Sequence, residues 1–369
     1  MNEWYRISDI EKLDTPALVV YPDRVRKNIS TLIKMAGDPS RLRPHVKTFK
    51  NREVTKMLLE AGISKFKCAT IAEAEMLASC GAKDVLLAYQ PIGPKIDRFL
   101  ELIKLFPSCS FSCLADNWSS AAAIDKRAAV ERVEVRLYID LNVGMNRTGI
   151  APGEAAIKLY HSCHTLKNCI PIGLHAYDGH IRQMNFQERK KACDEAFETV
   201  LNMQQEIIRM GMKSPEIIAG GSPTFSIHAL RKNVTCSPGT FVYWDAGYSA
   251  LCPEQDFIPA ALVISRIISY PDKGIICTDL GHKSVAAESE IQKRVVFLNG
   301  PPLKAVGQSE EHLILETRDN EFHTPGEILY GLPWHICPTC ALYERAYTVE
   351  NGIVTGEWMN VARDRKISI

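Results

Sequence analysis

The sequence has almost no excess of charge of either sign. Its 44 lysine and arginine residues stand against 43 aspartate and glutamate residues, which gives 369 residues a formal net charge of +1. Nucleic acids and anionic membrane surfaces attract proteins with a basic excess, and no basic cluster interleaved with aromatic residues is present. No stretch approaches about 18 consecutive apolar residues, so we expect no membrane-spanning helix. The composition therefore predicts a protein that binds neither nucleic acid nor membranes.

The N-terminus and the cysteines give no sign of secretion. Residues 1–6 have no apolar run after a basic start, so no signal peptide is predicted. The twelve cysteines are scattered, without the dense spacing of a disulfide-bonded scaffold. We therefore expect free thiols in a reducing cytoplasm. A hydrophobic content of 46% with 24% charged residues is ordinary for a globular protein.

Short apolar runs alternate with helical patterns from residue 41 onward. The predicted strands are residues 42–48, 65–70, 84–89, 111–115, 133–141, 172–177, 216–219 and 240–246. The predicted helical segments are residues 51–61, 71–80, 95–105, 119–129, 153–163, 187–210 and 226–231. Eight strands, seven of them followed by a helix, predict an α/β fold, the (β/α)8 barrel. A doubly wound open sheet stays open as the alternative, because periodicity does not distinguish a closed sheet from an open one.

Beyond residue 256 the pattern changes to strands and turns without regular helices. The predicted strands there are residues 260–268, 274–280, 294–298, 312–316, 327–330 and 345–350. An apolar, β-branched run at residues 15–21 precedes the barrel and is predicted to join these strands. We therefore predict a barrel domain over residues 22–250 and a mostly-β domain formed by residues 1–21 and 251–369.

Lys47 stands at the end of the first predicted strand, among turn and polar residues. A buried or half-buried lysine amine loses its proton readily and can then attack a carbonyl group. Most lysines near strand ends are solvated surface groups, so this position alone does not establish a function. It makes Lys47 a candidate for holding a carbonyl cofactor.

Glycine-bearing turns follow the later strands, where the chemistry of a barrel is located. After strand seven come Gly220, Gly221, Ser222 and Thr224, which offer backbone N–H groups and hydroxyls to a phosphate. Paired glycines more often form a plain turn, but this pair occupies the usual phosphate position of a barrel. Gly239 and Thr240, at the entry to strand eight, would form the other wall of that phosphate site.

Strand six carries His175 and Tyr177, which alternation puts on one face. If that face is the inner one, both side chains lie near a cofactor ring. A packed aromatic side chain beside a hydrogen-bonded core histidine is the alternative interpretation. His180 follows three residues later, and a histidine can act as a base near neutral pH.

His335 and Cys337 form a His-x-Cys pair in the tail. In an extended chain both side chains point to one face, where they can share one metal ion. An imidazole–thiolate pair favours Zn2+ over Mn2+ or Mg2+. A buried histidine beside an inert thiol is the alternative, and a redox role for Cys337 with Cys340 is disfavoured because a strand pattern soon follows.

Taken together, these motifs resemble those of the D-threonine aldolase and D-serine dehydratase family. Residues 43–50 match its Arg-Pro-His-x-Lys-Thr-His-Lys run, with Phe49 where the family usually has histidine. Residues 140–149 resemble the Asp-x-Gly-x-x-Arg-x-Gly run of the alanine racemase superfamily, and residues 176–179 the Ala-Tyr-x-Gly segment of D-threonine aldolases. Residues 335–337 match the family's metal motif, and residues 309–312 its Ser-Glu-Glu-His run. The motifs occur in family order between residues 13 and 344.

The resemblance implies a role for several of these residues. Lys47 would carry pyridoxal 5′-phosphate (PLP), and Arg147 would hydrogen-bond the phenolic oxygen of that cofactor. In D-threonine aldolases a histidine downstream of residues equivalent to 176–179 takes the proton of the substrate hydroxyl. Gln183 occupies that position here, so His180, the nearest imidazole, becomes the candidate base. The acidic residues of the 309–312 run would orient a metal-bound histidine.

The resemblance also implies a reaction. We expect a PLP- and divalent-metal-dependent lyase that cleaves a β-hydroxy D-amino acid into glycine and an aldehyde. The alternative is elimination to an oxo acid and ammonia, as in D-serine or D-3-hydroxyaspartate dehydratases. Residues 176–179 favour the aldolase and Cys337 favours the dehydratase. A non-catalytic PLP-binding protein is a further alternative, but the metal-bearing tail argues against it. The family architecture implies a homodimer in which each active site is closed by the partner's β tail.

Overall fold

The computed structural model describes residues 3–300, 302–317 and 323–369. The chain forms two compact units. The first, here called the barrel unit, comprises Ser30–Lys47, Thr55–Gly239 and Asp364–Ile369. The second, here called the β unit, comprises Met1–Ile29, Thr48–Val54 and Thr240–Arg363. No helix of the described chain is both long enough and apolar enough to cross a membrane.

The strands and helices are numbered in chain order. The strands are β1 Ala17–Val20, β2 Lys65–Cys68, β3 Asp84–Leu87, β4 Ser110–Ala115, β5 Val135–Leu141, β6 Cys169–Ala176, β7 Glu216–Ala219, β8 Thr235–Cys236, β9 Ala261–Asp272, β10 Ile275–Thr278, β11 Val295–Phe297, β12 Lys304–Gln308, β13 Leu313–Glu316, β14 Ile328–Pro333, β15 Arg345–Glu350 and β16 Ile353–Met359. The helices are α1 Pro22–Ala36, α2 Arg52–Glu60, α3 Ile71–Ser79, α4 Pro94–Leu105, α5 Trp118–Glu131, α6 Glu154–Cys163, α7 Phe186–Arg209, α8 Phe225–His228, α9 Ala246–Leu251 and α10 Ile336–Leu342.

The barrel unit is built on a curled parallel sheet. Its strands are hydrogen-bonded in chain order from β2 to β8. Every neighbouring pair is parallel, as expected when a helix or a long turn returns the chain to the same edge after each strand. Both faces of such a sheet are covered, which explains why β3 and β7 are short, nearly continuous apolar runs. Parallel order fixes one edge at which all carboxyl ends emerge.

The segment Leu42–His45 closes this sheet without being a strand itself. Leu42 forms a parallel bridge to Cys236 of β8, and His45 forms one to Lys67 of β2. The backbone N–H of Arg43 donates to the Cys236 carbonyl at 2.8 Å, and the N–H of Lys67 donates to the Pro44 carbonyl at 2.9 Å. Proline has no N–H to donate, so Pro44 interrupts a continuous ladder. The prediction of a strand over residues 42–48 is wrong, because the segment forms only isolated bridges. These bridges nevertheless join β8 to β2.

The predicted barrel fold is confirmed, and its last predicted strand is wrong. The final strand is β8, Thr235–Cys236, and not residues 240–246. Thr240–Val242 forms a 3-10 turn instead, and Asp245 caps α9 by accepting a hydrogen bond from the Tyr248 N–H. Residues 240–246 are nonetheless buried. A buried turn and a buried strand have similar apolar compositions, which explains the wrong prediction.

The β unit is a separate, mostly-β sheet. Its main path runs β12–β13–β10–β9–β1–β15–β16, with β14 also paired to β9 and β11 paired to β14. The N-terminal strand β1 lies between β9 and β15, as predicted from its apolar run. Strands β12 and β16 and helices α1, α9 and α10 were not predicted. The domain limits at residues 21/22 and 250/251 stay a prediction.

Arg43 gives a direct test of how the closing segment is held. Its buried guanidinium, with 1% of the side chain exposed, makes two hydrogen bonds of 2.7 and 2.8 Å to the carboxylate of Asp84 on β3. Arg43→Met leaves that carboxylate without its partner, so we expect the free energy of unfolding to fall by about 3 kcal/mol. Denaturant unfolding of both proteins measures the change.

Arg136→Met is the matched control, because Arg136 is exposed on β5 of the same sheet. We expect that change to stay within about 0.5 kcal/mol. Equal losses in the two variants would mean that the ion pair does not hold the segment.

Candidate active site

Most of the predicted cofactor-site residues lie in the barrel unit, beyond the carboxyl ends of its strands. Lys47 follows the closing segment, Arg147 follows β5 and Tyr177 follows β6. Residues 220–224 follow β7, and Gly239 follows β8. Because parallel strands end at the same edge, residues distant in sequence are brought to one side of the sheet.

Lys47 is partly buried in a 3-10 turn, Val46–Thr48. Its backbone N–H donates to Nδ1 of His45 at 3.3 Å. Phe49, at the position where histidine was expected, is fully buried in the core. The turn therefore follows directly from the bridged segment, and Phe49 anchors the chain just beyond it.

Tyr177 packs against two other predicted residues. Cζ of Arg147 lies 5.0 Å from the centroid of the Tyr177 ring. A Cβ atom at Gly221 would lie only 2.9 Å from Cε2 of the same ring, so the glycine permits this approach. The arginine after β5, the tyrosine after β6 and the glycine after β7 thus form one cluster, as the sequence predicted.

His175 is buried and oriented by Asp140, an acid on β5 that the sequence interpretation did not single out. His175 Nδ1 lies 2.8 Å from Oδ1 of Asp140. Burial lowers the pKa of His175, and the charges of Lys67 and Arg147 add to this effect. Burial alone would raise the pKa of Asp140, but the hydrogen bonds and charge it receives outweigh burial and lower it. A neutral imidazole donating from Nδ1 to a carboxylate is the arrangement that follows.

The other nitrogen of His175 has no hydrogen-bond partner among the described residues. Its Nε2 is buried and, in the neutral tautomer above, carries a lone pair. An unsatisfied buried acceptor costs about 1–3 kcal/mol, which a bound group that donates to it would recover. This atom therefore marks a place where a ligand group fits.

His180 is exposed and lies against the loop after β5. A Cβ atom at Gly144 would lie 2.6 Å from His180 Nε2, so the ring covers this glycine. Asn142 Oδ1 accepts hydrogen bonds from the backbone N–H groups of Gly144 and Asn146, which shapes the same loop. The candidate base is thus brought beside the loop that carries Arg147, and its role stays a prediction.

The glycine loop after β7 is held by its own backbone and by neighbouring side chains. Gly220 has a φ of +81°, which favours glycine, and its N–H donates to the Ala176 carbonyl at 3.0 Å. The N–H of Gly239 donates to Ser222 Oγ at 3.3 Å, so the turns after β7 and β8 meet as expected. The Thr224 hydroxyl, however, donates to Asp178 at 2.7 Å. Its first task is therefore to hold the loop.

Asp178 is the centre of a second buried network that the sequence did not reveal. Its Oδ2 accepts from Nε2 of His228 at 2.8 Å, and Nη1 of Arg231 lies 2.5 Å from the other imidazole nitrogen. The ligand atoms of Asp178, Cys193 and His228 lie within 4.8 Å of one another, which is close enough to share a metal ion. The residues are scattered over the sequence, so no local motif signals this cluster.

Charge and protonation oppose a metal in this cluster. The Arg231 guanidinium also lies 3.7 Å from Sγ of Cys193, and a cation would be repelled there. Burial, the largest cause, raises the pKa of Cys193 to about 12, whereas a metal ligand must be a thiolate. We therefore interpret the cluster as a hydrogen-bonded support for the glycine loop.

His335 and Cys337 lie in the β unit, and the expectation that they share an extended segment is wrong. His335 is the N-cap residue of α10, and Cys337 lies in its first turn. The two side chains are nevertheless hydrogen-bonded to each other. Burial opposes protonation of His335, but Cys337, Glu288 and Asp245 outweigh it and raise its pKa to about 9. A helix start thus brings the pair together where a strand was expected.

Three neighbours surround this pair within the β unit. The hydroxyls of Thr48 and Thr240 lie 3.1 and 3.6 Å from Cys337 Sγ, so Thr240 contacts the thiol in this unit. The carboxylate hydrogen-bonded to Nδ1 of His335 belongs to Glu288. The acids of the 309–312 run instead form ion pairs with Lys283. Sequence reasoning had assigned them the role that Glu288 has here.

The donors present fit the two expected groups. A lysine amine for a carbonyl, a guanidinium for an anionic oxygen, a glycine loop for a phosphate and a bare imidazole nitrogen are all found in the barrel unit. An imidazole and a thiol in contact, backed by a carboxylate, suit a soft divalent ion such as Zn2+.

The comparisons with known proteins agree with this architecture. Residues 20–246 match the family described as alanine racemase, N-terminal domain, and residues 260–349 match the putative serine dehydratase domain. The chain is 25% identical over 373 residues to a 3-hydroxy-D-aspartate aldolase of Paracoccus denitrificans (strain Pd 1222), covering 97% of this chain and 94% of that protein. It is 24% identical over 383 residues to a D-threo-3-hydroxyaspartate dehydratase of Delftia sp. (strain HT23), covering 94% and 97%.

A solved structure extends the likeness to three dimensions. The crystal structure of D-threonine aldolase from Filomicrobium marinum superposes with a TM-score of 0.88 at 23% identity, covering 95% of this chain and 96% of that one. At this identity the structural match establishes the fold. Since the first family match covers well over half of the residues, this chain belongs to the alanine racemase N-terminal domain family.

Proposed function

We propose that the protein is a PLP- and divalent-metal-dependent lyase that acts on β-hydroxy D-amino acids. The observation that carries this proposal is the cluster of Arg147, Tyr177 and Gly221 on the same edge of the sheet as Lys47. The proposal is also supported by two relatives, one named as an aldolase and one as a dehydratase of hydroxylated aspartates. We favour retro-aldol cleavage to glycine and an aldehyde, with elimination to an oxo acid and ammonia as the alternative.

In this proposal the barrel unit binds and polarises the cofactor. Bound PLP supplies an electron sink for bond cleavage at the substrate's α-carbon. The Lys47 amine would hold the cofactor through its carbonyl group, and Arg147 would donate hydrogen bonds to the phenolic oxygen. The glycine loop of residues 220–224 would hold the phosphate, and Gly239 supports this loop from the turn after β8 through its hydrogen bond to Ser222. His175 presents an uncharged Nε2, because burial lowers the pKa of the ring and outweighs the opposing effect of Asp140, whose hydrogen bond fixes the remaining proton on Nδ1.

The β unit supplies the metal ligands. His335 and Cys337 would hold a divalent ion, which provides a Lewis acid for the substrate hydroxyl. Glu288 orients His335 and raises the basicity of its imidazole. His180 is the candidate acceptor for the hydroxyl proton.

The products decide between the two reactions. D-Threonine incubated with the protein, PLP and Zn2+ or Mn2+ yields glycine and acetaldehyde if the aldolase is right. Elimination from the same substrate yields 2-oxobutyrate and ammonia. We expect acetaldehyde to exceed 2-oxobutyrate, as measured by quantitative chromatography of both. Absence of both products, with D-threonine and with 3-hydroxy-D-aspartate, would contradict a lyase.

Lys47→Ala should abolish turnover and the visible absorbance of lysine-linked cofactor together, because the variant has no amine to bind the carbonyl. Absorbance spectra of the variant with added PLP and a product assay measure the two effects. Lys56→Ala, on the exposed face of the adjacent helix α2, should behave like the unchanged protein. Borohydride-trapped cofactor on a lysine other than Lys47 would reject the assignment.

Removal of the metal should separate the two halves of the proposal. EDTA should remove most activity while the absorbance of the lysine-linked cofactor persists, because the residues proposed to bind PLP do not include the metal ligands. Two protein ligands leave a metal open to exchange, so added Zn2+ or Mn2+ should restore turnover.

Cys337→Ala should prevent that restoration at low metal concentration. Cys340→Ala is the matched control, since its thiol is fully buried and burial raises its pKa far above the ordinary value. If EDTA has no effect and elemental analysis finds no metal, the two-ligand site is wrong.

Assembly and location remain proposals. We propose a homodimer, from the family resemblance, and sedimentation velocity of the active protein checks it. We propose the cytoplasm because all twelve cysteines are free thiols, as expected in a reducing compartment. A fully active monomer would contradict the first proposal.

A further inference from the structure

Lys67 is a buried lysine in the barrel unit whose role no motif indicated. It lies on β2, and only 2% of the residue is exposed. Its amine donates a hydrogen bond to Oγ of Ser237, just after β8. The acceptor is a neutral hydroxyl, and a buried ammonium ion held by such a partner is costly. A lysine in this position requires an explanation beyond packing.

The partner of Lys67 is hydrogen-bonded to the proposed phosphate site. The Ser237 hydroxyl donates in turn to the Gly220 carbonyl at 3.1 Å. Gly239, two residues after Ser237, is hydrogen-bonded to Ser222 of the same loop. The amine also lies 5.6 Å from the centroid of the Tyr177 ring, which packs against Gly221. Lys67 is therefore connected to the glycine loop by two successive hydrogen bonds through the Ser237 hydroxyl.

Charged groups from several elements face this amine. They are Lys47 and Arg43 of the segment before β2, Asp140 on β5 and Asp178 after β6. The titratable imidazole of His175 on β6 also interacts with this amine, because the charge of Lys67 lowers the pKa of His175. Burial, the largest cause, lowers the pKa of Lys67 to about 7, and the charges of Lys47 and Arg43 add to the lowering. Asp178 and Asp140 oppose it. The amine can thus gain or lose its proton near neutral pH.

We propose that Lys67 is a positioning residue of the cofactor site, which holds the glycine loop through Ser237 and takes up a proton to become the buried countercharge when a phosphate-bearing ring binds. This inference rests on the proposed function, because it requires the phosphate to bind at residues 220–222. An anion in the pocket favours the charged form of a nearby amine. Binding is then linked to protonation: at pH 8 the amine starts mostly neutral and ends charged.

The test uses the full-length protein freed of cofactor and a probe that does not react with Lys47. 4-Deoxypyridoxine 5′-phosphate has the ring and the phosphate but no aldehyde. Calorimetric titration at pH 8, repeated in two buffers of different ionisation enthalpy, counts the protons exchanged on binding. Relative to Lys67→Met, the unchanged protein should take up about one additional proton per site. The methionine variant should also bind the probe at least about tenfold more weakly.

Two further variants separate charge from packing. Lys67→Arg keeps a permanent charge, so it should bind the probe more tightly than Lys67→Met. It should not take up the additional proton on binding, because its side chain is already charged. Lys65→Met, at the start of the same strand, should behave like the unchanged protein. Should Lys67→Met fail to fold, 13C NMR of the lysine side chains in the unchanged protein replaces it. The Lys67 signal is assigned as the one missing from the spectrum of Lys67→Arg. Its titration midpoint should lie near pH 7 and should move to higher pH when the probe is bound.

The outcomes distinguish this inference from the function on which it rests. Equal proton uptake and affinity in the unchanged protein and Lys67→Met, or a Lys67 signal that does not move with the probe, would overturn the role of Lys67 while leaving the PLP site intact. Failure of the unchanged protein to bind either PLP or the probe would instead overturn the proposed function itself.

Discussion

The barrel unit depends on one short segment that is hydrogen-bonded on both sides. Leu42–His45 connects the last strand of the curled sheet to the first, and the buried Arg43 ties it to Asp84 on β3. Without these contacts β2 and β8 would be open edges, whose unpaired N–H and C=O groups can pair with another chain. The same segment delivers Lys47 to the carboxyl edge. The same segment therefore closes the sheet and positions Lys47, the lysine proposed to hold the cofactor.

Two buried carboxylate–imidazole pairs organise the chemistry at that edge. Asp140 with His175 leaves one buried imidazole nitrogen without a hydrogen-bond partner among the described residues, whereas the hydrogen bonds of Asp178 with His228 and Arg231 are satisfied and support the glycine loop. The difference lies in the second nitrogen of each ring, which in one case lacks a described partner and in the other accepts from a guanidinium. One carboxylate–imidazole pair thus leaves a nitrogen available to a ligand, whereas the other pair stabilises the backbone of the glycine loop.

In the β unit, the start of a helix brings the two candidate metal ligands together. Since His335 caps α10 and Cys337 lies in its first turn, their side chains meet although the backbone between them is not extended. The surrounding hydroxyls of Thr48 and Thr240 come from distant parts of the sequence. A spacing of two residues was a correct guide to proximity, but the geometry behind it was different from the one expected.

Local periodicity and motif order were sufficient for much of this protein. They determined the alternation of strands and helices, the joining of β1 to the tail, and the grouping of Arg147, Tyr177 and Gly221, because parallel strands must end at one edge. An apolar run alone does not distinguish a buried strand from a buried turn, so residues 42–48 and 240–246 are wrongly predicted as strands. Lys67, Asp140, Asp178 and Glu288 could not be recognised, since each acquires its role from a partner on another element. The sequence by itself determined the alternation of most strands and helices and the edge that carries the chemistry. Only the tertiary structure decided which buried charges face one another, because those pairings depend on distances across the sheet.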